Sequence, residues 1–298
     1  MYNGMINIYK EAGYTSMDVV AVLRGILKQK KIGHTGTLDP SAQGVLLVCL
    51  GNATKLCDML ENRNKVYRCR MLLGRTTDTE DTTGTVTGEA PVNVSEDEVI
   101  GAVMSFVGDY DQIPPMYSAI KVGGKKLYEI ARAGKEIERK PRHIVIHDIS
   151  DIDIDLPYVS FTVSCSKGTY IRSLCRDIGE KLNCGGCMDN LLRTKVGDTD
   201  IESSLKIDDV KNLVSNGGID KYIIPTEKAF AGSGVLNVKS ESGKLIDNGN
   251  PLSVSDFEEN VTPKDGERFI VYNTRGVFTA TYLFREDKNR FMPEKMFL

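Results

Sequence analysis

The chain has 298 residues, of which 41% are hydrophobic and 27% are charged, and its formal net charge is −3. This length allows one large and one small domain or two medium ones, and the composition is that of a globular protein able to bury a sizeable core. No apolar run approaches the roughly 20 residues of a membrane helix, and the N-terminus lacks the pattern of a signal peptide. We therefore expect no membrane association and a cytoplasmic location.

The first predicted helix begins after Thr15, which has the spacing of a capping box with Asp18 and precedes apolar residues at helical intervals. Residues 45–50 are a short apolar run suited to a buried strand. Residues 65–74 alternate like a strand with one solvent-exposed face, and residues 76–84 are a polar turn cluster. The N-terminal third thus alternates between helix and strand.

The next helix signal is a second capping box, formed by Ser95 and Glu98. Residues 143–155 and 159–165 are strand candidates, and residues 168–182 have the apolar periodicity of a helix. Strands and helices are interleaved without a strict repeat, which favours an α+β fold with a mixed sheet and helices packed against it.

A small all-β domain is predicted over residues 231–298, after a large domain over residues 1–230. The C-terminal segment consists of short strand candidates separated by Gly, Asn, Asp and Pro turns, with little helical periodicity. About 65 residues rarely build a comfortable core alone. We therefore expect this small domain to rest on the larger one.

Metal binding has weak signals only. The seven cysteines are scattered and odd in number, unlike a disulfide framework. Cys184 and Cys187 form one CxxC pair, which is half of a zinc site, but no second pair accompanies it. His143 and His147 have metal-site spacing only on a helix, and their surroundings indicate a strand. We expect no metal ion.

Positive charge is concentrated in two segments although the chain is acidic overall. Residues 120–142 contain eight Lys or Arg against three Glu, a surplus of +5, and a second basic cluster lies at residues 63–75. Such runs are more often solvated surfaces. Two of them in one acidic protein nevertheless suggest a surface for a polyanion.

The segment KIGHTGTLDPSAQGVLLV, residues 31–48, contains Asp39 in a loop with little side-chain bulk. Pro40 biases Asp39 toward an extended backbone, and three glycines allow close approaches that side chains would block. Asp39 is either an Asx-type turn former or a carboxylate held on a loop with room above it for a flat ligand. The spacing alone leaves both alternatives open.

The stretch KKIGHTGTLDPSAQGVLLVCLGNATKL resembles the catalytic motif of the bacterial tRNA pseudouridine-55 synthases, the TruB family. Further blocks resemble the same family in the same order and together cover most of residues 4–197. These blocks are YKEAGYTSMDVV, KVYRCRMLLGRTTDTEDTTG, QIPPMYSAIKVGGKKLYEIARAG, SKGTYIRSLCRDIGEKL and LLRTKVG.

This resemblance implies a largely antiparallel mixed sheet with flanking helices around a central cleft, followed by an RNA-binding domain of the PUA type. It implies an isomerase that converts a flipped-out uridine at position 55, in the T-loop of tRNA, to pseudouridine without a cofactor. The expected partner is the T-arm of tRNA. We expect a monomer with no obligatory protein partner.

The resemblance also implies site residues by their positions in the matching motifs. Asp39 matches the catalytic carboxylate or nucleophile, Arg172 its ionic partner, and Tyr67 a catalytic tyrosine that stacks on the base. An arginine fork suits a carboxylate better than a lysine does, and base stacking contributes about 1–3 kcal/mol. The expected substrate-binding residues are His34, Tyr67, Tyr170, Leu191, Lys65 and Lys121.

Three positions depart from the family's pattern. Glu11 stands where the family usually has proline, which we expect to loosen the entry turn of that block. Cys187 and Leu192 stand where many members have histidine and arginine. The assignment of the neighbouring Leu191 is therefore weaker than that of Asp39.

Three alternatives stay open at the level of sequence. A guide-dependent synthase of the dyskerin type shares the aspartate motif but works in a protein–RNA assembly. A glycosidase would need a second carboxylate at a suitable separation, and none is indicated. A non-catalytic RNA-binding or RNA-folding protein would not depend on Asp39.

Overall fold

The computed structural model describes residues 1–298. Its α-helices are α1 (Ser16–Leu27), α2 (Cys57–Glu61), α3 (Glu96–Met104), α4 (Leu127–Arg132), α5 (Ile171–Lys181), α6 (Ile207–Ser215) and α7 (Gly243–Asp247). Its strands are β1 (Gly4–Lys10), β2 (Ile32–His34), β3 (Gln43–Leu50), β4 (Lys65–Leu73), β5 (Arg75–Thr77), β6 (Val86–Glu89), β7 (Gly108–Gln112), β8 (Lys121–Val122), β9 (Lys125–Lys126), β10 (Arg142–Asp155), β11 (Tyr158–Cys165), β12 (Gly186–Val196), β13 (Thr199–Asp200), β14 (Gly234–Asn237), β15 (Arg268–Tyr272), β16 (Phe278–Arg285) and β17 (Arg290–Met296).

The main sheet has nine strands in the order β1-β3-β12-β4-β11-β10-β7, with β2 paired to β3 and β13 paired to β12. Only β3 and β12 pair in parallel, and every other pair is antiparallel. The predicted α+β fold with a mixed, largely antiparallel sheet is confirmed. The parallel pair at the centre brings the segment after Asp39 beside the segment after Leu191.

Helices α1 and α3 begin where the sequence predicts. Thr15 and Asp18 form the predicted capping box at the start of α1, and Ser95 and Glu98 form the one at α3. Each box satisfies backbone N–H groups that the first turn of a helix leaves free. Helix α1 ends at Leu27 because the next residue adopts a left-handed backbone.

The sheet buries apolar side chains on both faces. One cluster joins α3 and α5 to β4, β11 and β10, and another joins α1 and α6 to β1 and β3. On β4, Tyr67, Cys69 and Met71 are buried while Arg68 and Arg70 are exposed, which confirms the predicted alternation. Tyr67 therefore faces the same side of the sheet as α5.

A second, four-stranded sheet, β14-β15-β16-β17, follows in the C-terminal segment. It packs on the main sheet through an apolar cluster that includes Leu47, Phe230, Ile270 and Phe297, and the Asn52 amide donates to the Phe297 carbonyl at 2.7 Å. These contacts fit the expectation that the small β part rests on the larger one. The domain boundary at residue 231 stays a prediction.

All seven cysteines are free thiols. His143 and His147 lie on β10, which is a strand as predicted. No helix is long and apolar enough to cross a membrane.

Candidate active site

Asp39 lies in the loop between β2 and β3. The loop is tied to the start of α1, because the Leu38 N–H donates to the Ser16 hydroxyl at 2.9 Å. The loop turns directly after Asp39, because the Ala42 N–H donates to the Asp39 carbonyl at 3.1 Å. The Asp39 side chain is 34% exposed, and both its oxygens accept from a distant arginine rather than from this turn. The Asx-turn alternative therefore does not describe this carboxylate.

Arg172, in the first turn of α5, is the partner of Asp39. Its Nε donates to Asp39 Oδ2 at 2.9 Å, and its Nη2 donates to Asp39 Oδ1 at 3.1 Å. The guanidinium also donates to the carbonyls of Thr79 and Tyr117, each at 2.9 Å. The Arg172 side chain is only 5% exposed. A bidentate, charge-assisted pair of this kind fixes the orientation of the carboxylate.

Tyr67 and Leu191 lie on neighbouring strands beside this ion pair. Both belong to the apolar cluster that also contains Leu38 and Ala42, the residues that bracket the Asp39 turn. Burial raises the pKa of the Tyr67 phenol above its usual value, so the phenol stays protonated at neutral pH. The structure brings together a carboxylate, an aromatic ring and an aliphatic side chain, which are the contacts a flat heterocycle needs.

His34 lies on β2 and is half-buried. Its Nδ1 accepts from the N–H of Gly36 at 3.3 Å. Burial, followed by the positive charge of Arg193, lowers the pKa of His34, so the ring is neutral at neutral pH. A neutral imidazole at this position is suited to stacking rather than to binding a phosphate.

Tyr170 immediately precedes α5 and lies two residues before Arg172. The side-chain amide of Gln112 bonds both backbone groups of Tyr170. The Tyr170 N–H donates to Gln112 Oε1 at 2.8 Å, and Gln112 Nε2 donates to the Tyr170 carbonyl at 3.0 Å. Gln112 is buried and was not predicted from the sequence. Since these bonds join β7 to the start of α5, they also fix the base of Arg172.

Lys65 and Lys121 occupy different environments. Lys121 is exposed on β8, whereas Lys65 is buried and donates to the carbonyl of Glu61 at 2.5 Å. Burial lowers the pKa of Lys65 to about 8. A direct phosphate contact by Lys65 would require its amine to leave this carbonyl, whereas the side chain of Lys121 is exposed to solvent.

Lys10 supports the Asp39 loop; it lies in the block YKEAGYTSMDVV but was not among the site residues predicted from the sequence. It is fully buried, and its Nζ donates to the carbonyls of Tyr14 at 2.6 Å, Glu11 at 3.1 Å and Pro40 at 3.2 Å. The Gly13 N–H donates to the same Pro40 carbonyl at 2.9 Å. The turn that contains Glu11 is thus closed on the loop even without the proline that the family usually has.

Glu80 anchors the loop that supplies the Thr79 carbonyl. It is buried in a left-handed backbone conformation, and it accepts from the Ser173 hydroxyl at 2.6 Å and from Arg176 at 2.5 Å. Both donors lie on α5. The sequence predicted only a polar turn cluster here, because the partners of Glu80 lie more than 90 residues away in the chain.

The two other departures from the family's pattern lie away from the ion pair. Cys187 is fully buried on β12, and burial raises the pKa of its thiol to about 11. Leu192 opposes the exposed Arg68, so it lies on the face of the sheet opposite to Leu191 and Tyr67. An arginine at residue 192 would therefore not reach the Asp39 pocket.

Asp39 is the accessible carboxylate of the site: its side chain is 34% exposed, whereas Glu80 and Asp81 are buried. Glu80 is engaged by Arg176 and Ser173, and the Asp81 carboxylate accepts from Thr79 and Thr83. A glycosidase needs two carboxylates across one bond, so this arrangement does not favour that alternative. No group of three His, Cys, Asp or Glu side chains is placed to hold a metal ion.

The sequence matches two profiles of one family. "TruB family pseudouridylate synthase (N terminal domain)" covers residues 24–171, and "tRNA pseudouridylate synthase B C-terminal domain" covers residues 172–231. A protein of Lachnoclostridium phytofermentans named tRNA pseudouridine synthase B is 51% identical over 99% of this chain and 100% of its own. One of the same name from Clostridium perfringens is 44% identical over 99% of both chains.

Solved structures resemble the fold along almost its whole length. A chain from an H/ACA RNP bound to a substrate RNA containing 2′-deoxyuridine superimposes with a TM-score of 0.72 and 26% identity, covering 99% of this chain and 85% of that one. A chain from a Cbf5–Nop10–Gar1 complex gives a TM-score of 0.71 and 28% identity at the same coverage.

Proposed function

Because the chain belongs to the TruB family of pseudouridylate synthases, we propose that it isomerises the uridine at position 55, in the T-loop of tRNA, to pseudouridine without a cofactor. The chain is an isomerase of the pseudouridine synthase type, as the family and the names of its relatives indicate. The observation that carries the proposal is the bidentate ion pair of Arg172 and Asp39, which borders Tyr67 and Leu191.

In the proposed reaction, Asp39 is the catalytic carboxylate. The bond from uracil N1 to the ribose C1′ breaks, the base turns, and its C5 joins the same C1′. Asp39 adds to C1′, adds to the base, or removes a ribose proton to form a glycal, and the geometry of the free protein is compatible with all three. Tyr67 stacks on the base, and its hydroxyl is near the C5 proton that finally leaves.

The uridine must leave its stack before it reaches Asp39, at a cost of a few kcal/mol. His34 is five residues before Asp39 in the same loop segment, and we assign it the role of filling the vacated stack. Its half-buried, neutral ring supports that role. Tyr170 and Leu191 are assigned to the uridine pocket.

The remaining contacts are assigned to the T-arm of tRNA. The exposed β8–β9 hairpin carries Lys121 and leads into the basic segment that ends at residue 142, which suits phosphate contacts and recognition of shape. We assign catalysis to residues 1–230 and RNA binding of the PUA type to residues 231–298. The protein acts as a monomer in the cytoplasm, with no obligatory protein partner.

A guide-dependent synthase is the main alternative, since the similar solved structures belong to H/ACA assemblies. The relatives that match over the full chain at 44–51% identity are instead named for tRNA. The purified chain alone should therefore act on an unmodified tRNA transcript. Activity that emerges only after a guide RNA and partner proteins are added would favour the alternative.

The test is tritium release from a tRNA transcript labelled at uracil C5, followed by mapping of the modified position. We expect release from one T-loop uridine only. Asp39→Asn should bind the tRNA with an unchanged Kd and release no tritium, because an amide cannot replace an ionised carboxylate in any of the three routes. Asp153→Asn, on the exposed part of β10, is the matched control and should retain full activity. Turnover by Asp39→Asn would exclude its catalytic role.

A further inference from the structure

Arg193 is a buried cation without a carboxylate. Arg193 is 2% exposed. Its Nε donates to the Val45 carbonyl at 2.7 Å. Its Nη1 and Nη2 donate to the carbonyls of Thr37 and Gly36 at 3.4 and 3.5 Å. Arg172, by contrast, is paired with Asp39, and no acidic side chain lies within 4.0 Å of Arg193. Burying an unpaired charge is costly, so Arg193 is placed to stabilise a negative charge that forms near it during function.

Arg193 lies on the side of the pocket assigned to the base. It opposes Tyr67 directly in the register of β12 and β4, and it follows Leu191 by two residues. Its guanidinium bonds the loop that carries His34 and Asp39 through two carbonyls. Burial raises the pKa of Tyr67, and the charge of Arg193 acts against that rise. The field of Arg193 therefore reaches the ring on which the base would stack.

The proposed reaction moves negative charge from Asp39 to the base. If Asp39 attacks C1′, an ester forms and the electron pair of the C1′–N1 bond leaves with the ring. If Asp39 removes a ribose proton, the carboxylate becomes an acid and the ring again leaves with that pair. If Asp39 adds to the base, the electrons of the C5–C6 double bond stay on the ring as an enolate. In all three routes a neutral ring becomes an anion and Asp39 loses its charge.

Arg172 alone would oppose this transfer, because it stabilises the negative charge where it starts. Catalysis requires interactions that are stronger in the transition state than in the ground state. A fixed cation on the side of the base supplies such an interaction, provided that it is already oriented and shielded from water. Arg193 meets both conditions, since its Nε and both Nη atoms each donate to a backbone carbonyl and the residue is buried.

We propose that Arg193 stabilises the uracil ring once negative charge has passed to it from Asp39, acting through Tyr67 and the backbone of residues 36–37 without touching the base. Arg193 is thus a positioning residue, and its role rests on the proposed pseudouridine synthase function. The negative partner that Arg193 lacks in the free protein is the charge that the reaction creates on the uracil ring.

The test compares Arg193→Gln, which removes the charge at similar length, with Arg193→Lys, which keeps it. At saturating enzyme, the single-turnover rate on unmodified tRNA should fall about 100-fold or more for Arg193→Gln and recover to within about tenfold of wild type for Arg193→Lys. The Kd for tRNA should stay within about threefold of wild type in both. Arg24→Gln is the matched control, because Arg24 also donates to a backbone carbonyl but lies exposed on α1.

A substrate variant separates an electrostatic role from a structural one. Fluorine at uracil C5 withdraws electrons and makes the ring a more stable anion, so the ring then depends less on Arg193. With 5-fluorouridine at the target position, the wild-type to Arg193→Gln rate ratio should shrink by about fivefold or more relative to uridine. The readout is loss of 5-fluorouridine from nuclease digests, which does not depend on release of a C5 proton.

Each outcome has one meaning. An equal rate ratio for uridine and 5-fluorouridine, or a full rate for Arg193→Gln, would overturn the role of Arg193 while leaving the synthase function intact. A wild-type chain that converts no uridine would overturn the function itself. If Arg193→Gln does not fold, the same comparison of the two substrates is made with Arg193→Lys, whose displaced charge predicts a smaller defect that fluorine again reduces.

Discussion

Arg172 is held by acceptors from three separate segments. Its replacement therefore tests how strongly the proposed activity depends on the orientation of the Asp39 carboxylate. Arg172→Lys keeps one positive charge but cannot make two parallel bonds to Asp39 and also bond the carbonyls of Thr79 and Tyr117. We expect the single-turnover rate to fall by about 100-fold or more, because a point charge does not orient the carboxylate. The Kd for tRNA should change little. The single-turnover rate and the Kd are measured on the same protein preparation.

Arg24→Lys serves as the control for that variant, since Arg24 lies on α1 away from Asp39. It should be as active as wild type. A rate for Arg172→Lys within about threefold of wild type would mean that charge alone, without the fork, is sufficient.

Lys10 predicts a pH dependence of stability. Burial lowers the pKa of Lys10 from about 10.5 to about 8 in the folded chain. Between these two pH values the unfolded chain holds a proton on Lys10 that the folded chain has released. Stability due to this group therefore increases as pH rises from about 8 to 10.5, by at most about 3 kcal/mol.

The measurement is urea unfolding of wild type and Lys10→Met from about pH 7 to pH 10.5. Other lysines and tyrosines titrate in both proteins, so the difference between the two free energies of unfolding isolates Lys10. That difference should shift in favour of wild type as pH rises. A constant difference over this range would show that the Lys10 amine is not perturbed by burial.

At the residue scale, the sequence predicted the ion pair and the pocket but not their supports. Motifs that resemble a family identified Asp39, Arg172 and Tyr67 because each lies in a distinctive local pattern. Gln112 and Glu80 also lie in blocks that resemble the family, but their role was not predicted, because each acts through a partner more than 50 residues away. A local pattern carries no signal for contacts that depend on how the whole chain packs.

At the scale of elements, Gly44 decides whether β3 can lie against β12. Its φ is +104°, and a Cβ there would lie 2.2 Å from the Arg193 carbonyl oxygen, which is backbone and cannot move aside. Gly44→Ala should therefore cost at least about 2 kcal/mol of the free energy of unfolding. Gly25→Ala on α1 meets nothing within 4 Å and should gain about 0.5–1 kcal/mol.

Both glycine variants are measured by urea unfolding, with unchanged slope as evidence that only stability has altered. A Gly44→Ala protein as stable as wild type would mean that β3 and β12 separate there without cost. The same variant should also lose activity, since Arg193 and the Asp39 loop flank this contact.

Most predicted elements were confirmed, and the missed ones have more than one physical reason. Strand β17 was not predicted, because it contains Pro293 and several charges; it lies at the edge of its sheet, where a proline is tolerated. Helices α2, α4, α6 and α7 were also missed. Helix α6 has nine residues but follows Lys206, which is not one of the usual N-cap residues. Helix α4 has only six residues, too few for an apolar period to be recognised. Short elements take their structure from their neighbours rather than from local pattern.

For the whole molecule, the uneven distribution of charge predicts how tRNA binding responds to salt. The β8–β9 hairpin turns at Gly123 and Gly124, both at positive φ, and presents Lys121, Lys125 and Lys126. Replacing all three lysines by alanine should weaken tRNA binding and reduce the slope of log Kd against log salt by roughly 0.9 for each phosphate that these lysines neutralise. The measurement is tRNA binding at several salt concentrations.

Lys211→Ala, on the exposed surface of α6, is the control and should leave the slope unchanged. An unchanged slope for the triple variant would move the phosphate-binding surface away from this hairpin. A net charge of −3 is compatible with an RNA partner, because binding depends on local rather than total charge.

The ion pair between Arg172 and Asp39 also sets when the site can form during protein synthesis. The ribosome makes Asp39 first, and its partner follows 133 residues later. Until that stretch has been translated, the carboxylate has no guanidinium to align it, however well the first strands have folded. A nascent chain that ends before residue 172 therefore lacks the ion pair on which the proposed activity depends.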